Sequence, residues 1–217
     1  MIKQAIIPLA GQGTRLLPLT SVLPKELLPI NGKPGIEYIL DECIKSWIKE
    51  IIFIISKRKN IIKKYFYNDI FYKNLIKKNK NDKKLKFEYS KIKKYKKMIK
   101  FVYQNSPRGT GHAVLKCKNL IKSKYFLMLM PDDLIIKKNC SSSLIELHKK
   151  YKSSIIASKK VNRKNVSRWG ILNIKKIDKR NFIISNFQWF CQCRCSQWNN
   201  FIWMFFLNND TIHHFII

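Results

Sequence analysis

Residues 2–26 read IKQAIIPLAGQGTRLLPLTSVLPKE. The run Ile2–Leu9 is short, apolar and rich in Ile. A run of this kind reads as a strand buried on both faces, as in a parallel sheet. Gly11, Gly13 and Pro18 then punctuate a loop. Downstream, Ile36, Ile39, Leu40, Cys43, Ile44 and Trp47 recur at helical spacing and predict one apolar stripe on an amphipathic helix. Residues 50–56, EIIFIIS, predict a second buried strand. Strand, loop, helix and strand in this order form a βαβ unit, whose crossover is right-handed in nearly all cases.

The same alternation resumes further on. Ile99–Gln104 predicts a strand, Gly109–Ile121 a helix, and Tyr125–Met130 a fully apolar strand ended by Pro131, Asp132 and Asp133. Ser142–Tyr151 predicts a helix with Ser at its N-cap, and Ser154–Val161 another strand. The fold class is therefore α/β: a mixed, mostly parallel sheet with helices on both faces and the AGQGTR loop at its carboxyl edge. Residues 57–100 are Lys-rich with interspersed Ile, Phe and Tyr, and read as a variable basic region of helical pieces joined by solvated loops. Residues 1–180 are expected to form one domain, with residues 181–217 as an aberrant tail.

Length and charge bound the function. The chain has 217 residues, enough for one α/β domain. It carries 44 Lys and Arg against 13 Asp and Glu, a formal charge of +31. That charge suits a polyanion: nucleic acid, an anionic membrane or nucleotide phosphates. The dominant residues Lys, Ile, Asn, Phe and Tyr also have codons rich in A and T, and the lysines are spread rather than stacked on one helix face, so base drift without a selected partner is the favoured reading of the charge. No zinc-finger, helix-turn-helix or stacking-platform signature accompanies it, so no specific nucleic-acid partner is expected. There is no apolar run long enough to span a membrane and no signal peptide, and a cytoplasmic location is expected. Cys43, Cys117 and Cys140 occur singly, and Cys191, Cys193 and Cys195 lack the spacing of a zinc site.

The chemistry concentrates in Leu9–Glu26. Ligands of open α/β sheets bind outside the carboxyl ends of the strands, where this loop falls. Gly11 and Gly13 let backbone N–H groups approach phosphate oxygens. Thr14 adds a hydroxyl donor, Arg15 a planar fork suited to phosphate, and Lys25 a mobile point charge. A dinucleotide fingerprint requires a third Gly where Leu16 stands, and a P-loop requires Gly-Lys-Ser/Thr where Gly13-Thr14-Arg15 stands.

AGQGTRLLPLT followed by LPKELLPINGKPGIEYIL resembles the sugar-phosphate nucleotidylyltransferases. The later YQNSPRGTGHAV and MLMPDDLI are most similar to the bacterial UTP–glucose-1-phosphate uridylyltransferase branch. The resemblance runs from Lys3 to about Asn173. It implies a Rossmann-like nucleotidyltransferase fold, UTP and glucose 1-phosphate as substrates, and Mg²⁺ as cofactor. By the same resemblance, Ala10, Gly11 and Gly13 lie against the uridine and phosphates of UTP. Thr14, Arg15 and Lys25 hold the triphosphate, with Arg15 and Lys25 neutralising the leaving pyrophosphate. Gln104 reads the uracil edge, Gly109 and Gly111 let the backbone pass close to the base, and Gly170 lies beside the glucose. Asp132 matches the metal-binding Asp, and Asp133 is a structural neighbour. His112 reads as a packing or hydrogen-bonding residue rather than a base.

The sequence also departs from the family. The Glu-Lys-Pro loop that holds the sugar phosphate, the second metal-binding Asp and the C-terminal helices that support dimers or tetramers are not found in residues 1–217. From residue 181 onward Lys, Gly and Pro are absent, while three of the five Trp and three of the six Cys fall there. WFCQCRCSQW and FIWMFF show no period and no turn punctuation. Residues from about 186 onward are expected to be read out of frame, with UTP binding retained and turnover small.

Overall fold

The computed structural model describes residues 2–106, 108–132, 134–135 and 138–157, and the backbone of residues 171–176, 182–188 and 204–208. Its centre is a sheet of β1 (Gln4–Pro8), β4 (Glu50–Ile55), β5 (Ile99–Tyr103), β6 (Tyr125–Leu129) and β9 (Met204–Asn208), in the order β5-β4-β1-β6-β9. β1 runs parallel to β4 and β6, and β4 parallel to β5. β9 joins the edge antiparallel to β6. The expected α/β class and mostly parallel sheet are thus present. No element was expected within FIWMFF, yet Met204–Asn208 forms this edge strand, because β6 would otherwise present an open row of backbone donors and acceptors.

The period of two explains why the strands read as unbroken apolar runs. Ala5, Ile7 and Leu9, with Ile51, Phe53, Ile55, Leu127 and Leu129, face one core. Ile6, Ile52, Ile54, Phe126 and Met128 face the other. Both faces are covered, so neither set can be polar. The first core is roofed by α1 (Gly35–Lys45), α2 (Asn60–Tyr67), α4 (Lys83–Met98) and α6 (Cys140–Tyr151), through side chains such as Leu40, Phe66, Tyr95 and Leu144. The second is closed by α5 (Gly109–Lys116), through Ala113 and Val114. Helices lie on both faces, as expected. Phe53, fully buried between Phe66 and Phe101, is a residue whose truncation to Ala costs about 3–5 kcal/mol.

The basic stretch after β4 is more firmly built than expected. It holds α2, α3 (Asp69–Lys78) and α4, and Ile62, Phe66, Ile92 and Tyr95 enter the first core. Carboxylates of α1 pin it from beneath. Glu37 accepts from the Tyr65 hydroxyl and pairs with Lys91 at 3.0 Å, and Asp41 accepts from the Tyr95 hydroxyl at 2.6 Å. Lysines face the solvent around this buried framework, which is how a Lys-rich segment folds.

Several boundaries differ from the sequence reading. Trp47 does not belong to the α1 stripe: the helix ends at Lys45, and Trp47 follows it exposed in a left-handed conformation (φ 61°) where the chain reverses towards β4. α6 begins at Cys140, and its cap is Asn139, whose side chain accepts from Ser142 N at 2.8 Å, rather than Ser142. Of the strand expected over 154–161, the described part holds one bridged residue, Ile156, and residues 158–161 lie outside the described residues. β2 (Pro29–Ile30) and β3 (Lys33–Pro34) form a small hairpin before α1. β7 (Ile171–Lys176) and β8 (Phe182–Gln188) form an antiparallel pair of their own. Among the described residues no helix is long and apolar enough to cross a membrane.

Candidate functional site

The carboxyl ends of β1, β5 and β6 converge on one cleft of about 200 Å³. Pro8, Ala10 and Gly11 line it from β1 and its following loop, and Met130, Pro131 and Asp132 from the end of β6. Gln104 contributes from the end of β5, and Gly109, Thr110 and Ala113 from the first turns of α5. Lys25 and Glu26, on a single 3-10 turn (Lys25–Leu27), close it. Backbone bonds from Leu9 N to Ile54 O (2.7 Å) and from Gln104 N to Ile55 O (2.9 Å) extend the ladder to the cleft.

Of the residues expected from sequence, Ala10, Gly11, Lys25, Gln104, Gly109 and Asp132 meet in this lining. A Cβ at Gly11 would have no heavy atom beyond its chain neighbours within 4 Å, so the space beside it is open. Gly13, Thr14, Arg15 and Gly111 do not line it. Thr14 and Arg15 form an exposed 3-10 turn (Thr14–Leu16) beyond Gly11. Gly13 shapes that turn: it has φ +71°, and a Cβ there would stand 3.2 Å from Thr20 Cγ2, while the Thr20 hydroxyl donates to its carbonyl at 2.8 Å. Gly170 and Asp133 lie outside the described residues.

Gln104 is 3% exposed. Its amide nitrogen donates to Gly109 O at 3.3 Å and stands 2.8 Å from His112 Nδ1. The second contact is a hydrogen bond when the ring is neutral with its proton on Nε2. His112 thus anchors the amide, the hydrogen-bonding part expected of it. The N-terminus of α5 carries no side-chain cap and borders the cleft through Gly109 and Thr110. Unpaired N–H groups and the positive end of the helix dipole make such a terminus a favourable neighbour for anions.

The charges alternate. Lys25 Nζ donates to Asp132 Oδ2 at 3.0 Å, at the mouth of the cleft. Glu26, 2% exposed, accepts at both oxygens, at 2.8 Å each, from Nζ of Lys59. Burial pulls the Lys59 ammonium below the usual lysine range, against the pull of Glu26. Sequence reasoning missed Glu26 and Lys59. Glu26 had one signal, its place beside Lys25 in the Pro24–Lys25–Glu26 segment. Lys59 had none, since it stands in Lys57–Arg58–Lys59 with nothing to mark it as the buried member.

A nucleotidyl transferase family model matches residues 4–188. The chain is 35% identical over 190 residues to the UTP–glucose-1-phosphate uridylyltransferase of Bacillus subtilis, covering 86% of this chain and 63% of that protein. It is 38% identical over 178 residues to the enzyme of the same name from Streptococcus pyogenes, covering 79% of this chain and 57% of that protein. The chain therefore spans less than two thirds of the length of these relatives. Among solved structures it is similar to a UDP-glucose pyrophosphorylase complexed with UDP-glucose (TM-score 0.80, 27% identity, 98% of this chain and 78% of that one). It is also similar to a UTP-bound UGPase from Acinetobacter baumannii (TM-score 0.86, 25% identity, 98% of this chain and 76% of that one). Since the family match spans the strands that converge on the cleft as well as the loops that line it, the chain belongs to the nucleotidyl transferase family.

Proposed function

We propose that the cleft binds UTP and that the protein serves uridylyl transfer to glucose 1-phosphate, giving UDP-glucose and pyrophosphate. The observation that carries the reading is the meeting of Gly11, Lys25, Gln104 and Asp132 around one cleft at the carboxyl edge of the sheet, in a chain whose relatives bear the name of this activity. In this reading Ala10, Gly11, Gly109 and Gly111 give the backbone close approach to uridine and phosphates. Gln104 presents its amide towards the uracil edge. Gly13 and Thr14 shape the turn that brings Arg15 to the triphosphate, and Gly170 belongs to the glucose side.

The reaction needs no base from the protein. A phosphate oxygen of glucose 1-phosphate attacks the α-phosphorus in line, and pyrophosphate leaves. The protein's part is to hold both phosphates in place and to neutralise charge on the leaving group, which falls to Arg15 and Lys25. Lys25 pairs with Asp132 at the cleft mouth, where a phosphate oxygen would compete with that carboxylate for the ammonium.

Asp132 fits a divalent cation. It is a hard carboxylate at the end of β6 with its side chain 54% exposed. Among the described residues no group of three or more metal-ligating side chains exists. One carboxylate completed by substrate phosphate oxygens is the donor set Mg²⁺ accepts. When bound, the ion would supply Lewis-acid polarisation of the phosphates.

The family segments that hold the sugar phosphate are not found in residues 1–217, so the chain is expected to bind UTP with little turnover. Calorimetry with UTP, ATP and CTP in the presence of Mg²⁺ tests the first half. UTP should bind most tightly, and equal affinity for all three overturns the reading. Pyrophosphate release with UTP and glucose 1-phosphate tests the second. Turnover of about 1 s⁻¹ or more, within the usual enzyme range, would show that this chain carries a complete sugar site.

A further inference from the structure

The salt bridge between Glu26 and Lys59 calls for a reason. Lys59 is 7% exposed and Glu26 2%, and among the described residues no other lysine is buried. Lys59 Nζ meets both carboxylate oxygens at 2.8 Å. Such a pair is a weak source of stability, because desolvating two ions offsets most of their attraction and apolar side chains of similar volume often serve as well. Its location supplies a better reason. Glu26 lines the cleft and is covalently next to Lys25 on the same 3-10 turn. Neighbouring side chains on such a turn diverge by about a third of a revolution, so fixing one inward sets the direction of the next. Lys25, correspondingly, points to Asp132 at the mouth.

The second consequence is electrostatic. A nucleoside triphosphate brings several negative charges into this cleft. Without a partner, Glu26 would place another in its wall, or would have to take up a proton to stay buried. Lys59 reaches it from the 3-10 turn that follows β4 (Lys57–Lys59), at the start of the basic segment whose remaining lysines are exposed or half-buried.

We infer that Lys59 is a positioning residue for nucleotide binding: by holding and neutralising the Glu26 carboxylate, it keeps the turn aimed so that Lys25 faces the cleft and no unbalanced negative charge meets the triphosphate. This rests on the UTP reading of the cleft. It assigns a task to one lysine of the basic segment.

The test is UTP binding with Mg²⁺ by calorimetry at pH 8, on the full 217-residue chain, each variant compared with wild type. Lys59→Met should bind roughly tenfold more weakly, the effect of one uncompensated charge near the phosphates. The double variant Glu26→Gln with Lys59→Met should return to within about threefold of wild type, because the repelling charge is gone. Lys59→Arg should retain binding, and Arg58→Met, which removes an exposed neighbouring charge, should lose little. If Lys59→Met gives no cooperative melt, Lys59→Gln takes its place, since it keeps a donor for the carboxylate. Wild-type affinity in whichever variant folds overturns the proposal. So does a loss that is not relieved by Glu26→Gln, which is the mark of a purely structural pair. Absence of UTP binding by the wild type overturns the functional reading itself, and this inference with it.

Discussion

Lys25 and Asp132, 107 residues apart in the chain, meet at 3.0 Å at the mouth of the cleft. The cation proposed to hold the triphosphate thus rests on the anion proposed to hold the metal. Binding of a metal–nucleotide complex would satisfy both groups at once, replacing one ion pair by two. The expected result is that metal and nucleotide favour each other's binding, a reciprocal coupling.

Asp132→Asn is the direct check on that arrangement. The variant should lose the gain in UTP affinity that Mg²⁺ brings. Its metal-free binding should be unchanged or tighter, because Lys25 is released. Titrations with and without Mg²⁺ separate the two effects, and a metal-dependent gain equal to that of the wild type would remove Asp132 from this role.

Arg15 sits exposed on its turn and has no acidic partner among the described residues. Its guanidinium is free to take a phosphate. Arg15→Ala should weaken UTP binding by about 1.5–3 kcal/mol, the scale of a charge-assisted hydrogen bond, with no change in melting temperature. Equal affinity in calorimetry would show that the turn does not reach the ligand.

Gly13→Ala places a Cβ at φ +71° and 3.2 Å from Thr20 Cγ2. The left-handed backbone alone costs an L-residue about 1–2 kcal/mol. The variant should melt a few degrees lower, the scale expected for a chain of about this size, and should also bind UTP more weakly as the turn opens. A melting temperature equal to that of the wild type would show that the turn relaxes without strain.

Tyr95 is 1% exposed and donates to Asp41 at 2.6 Å. Burial first, and then the carboxylate, hold its ionisation well above the ordinary value of 10.0. A raised folded-state value means stability that is present below pH 10 and lost as pH rises above it, since only the unfolded chain releases the proton there. Tyr95→Phe should cost about 1–2 kcal/mol at pH 7 and make the decline above pH 10 shallower. Urea denaturation at pH 7 and pH 10.5 measures both. An unaltered decline in the variant would show that Tyr95 is not a source of the alkaline loss.

The sequence alone determined the parallel α/β core, because strands buried on both faces leave no choice but continuous apolar runs, and Ala5–Ile7, Ile51–Ile55 and Phe126–Leu129 are such runs. The resemblance of its motifs to a known family also marked Ala10, Gly11, Lys25, Gln104, Gly109 and Asp132, and they meet in one cleft because topology carries the carboxyl ends of parallel strands to one edge. Only the tertiary structure decided which of the many lysines is buried. Lys59 is chosen by its distance from Glu26, 33 residues away in the chain, and no local period records that distance. The tertiary structure also made Trp47 an exposed turn residue rather than the last of the α1 stripe, because a helix ends where the chain must reverse into the sheet. It found an edge strand at Met204–Asn208, where β6 offered a ladder of backbone partners that the side-chain pattern of that segment does not encode. Local sequence records burial and turns, whereas pairings between distant groups are set by the geometry that packing imposes on them.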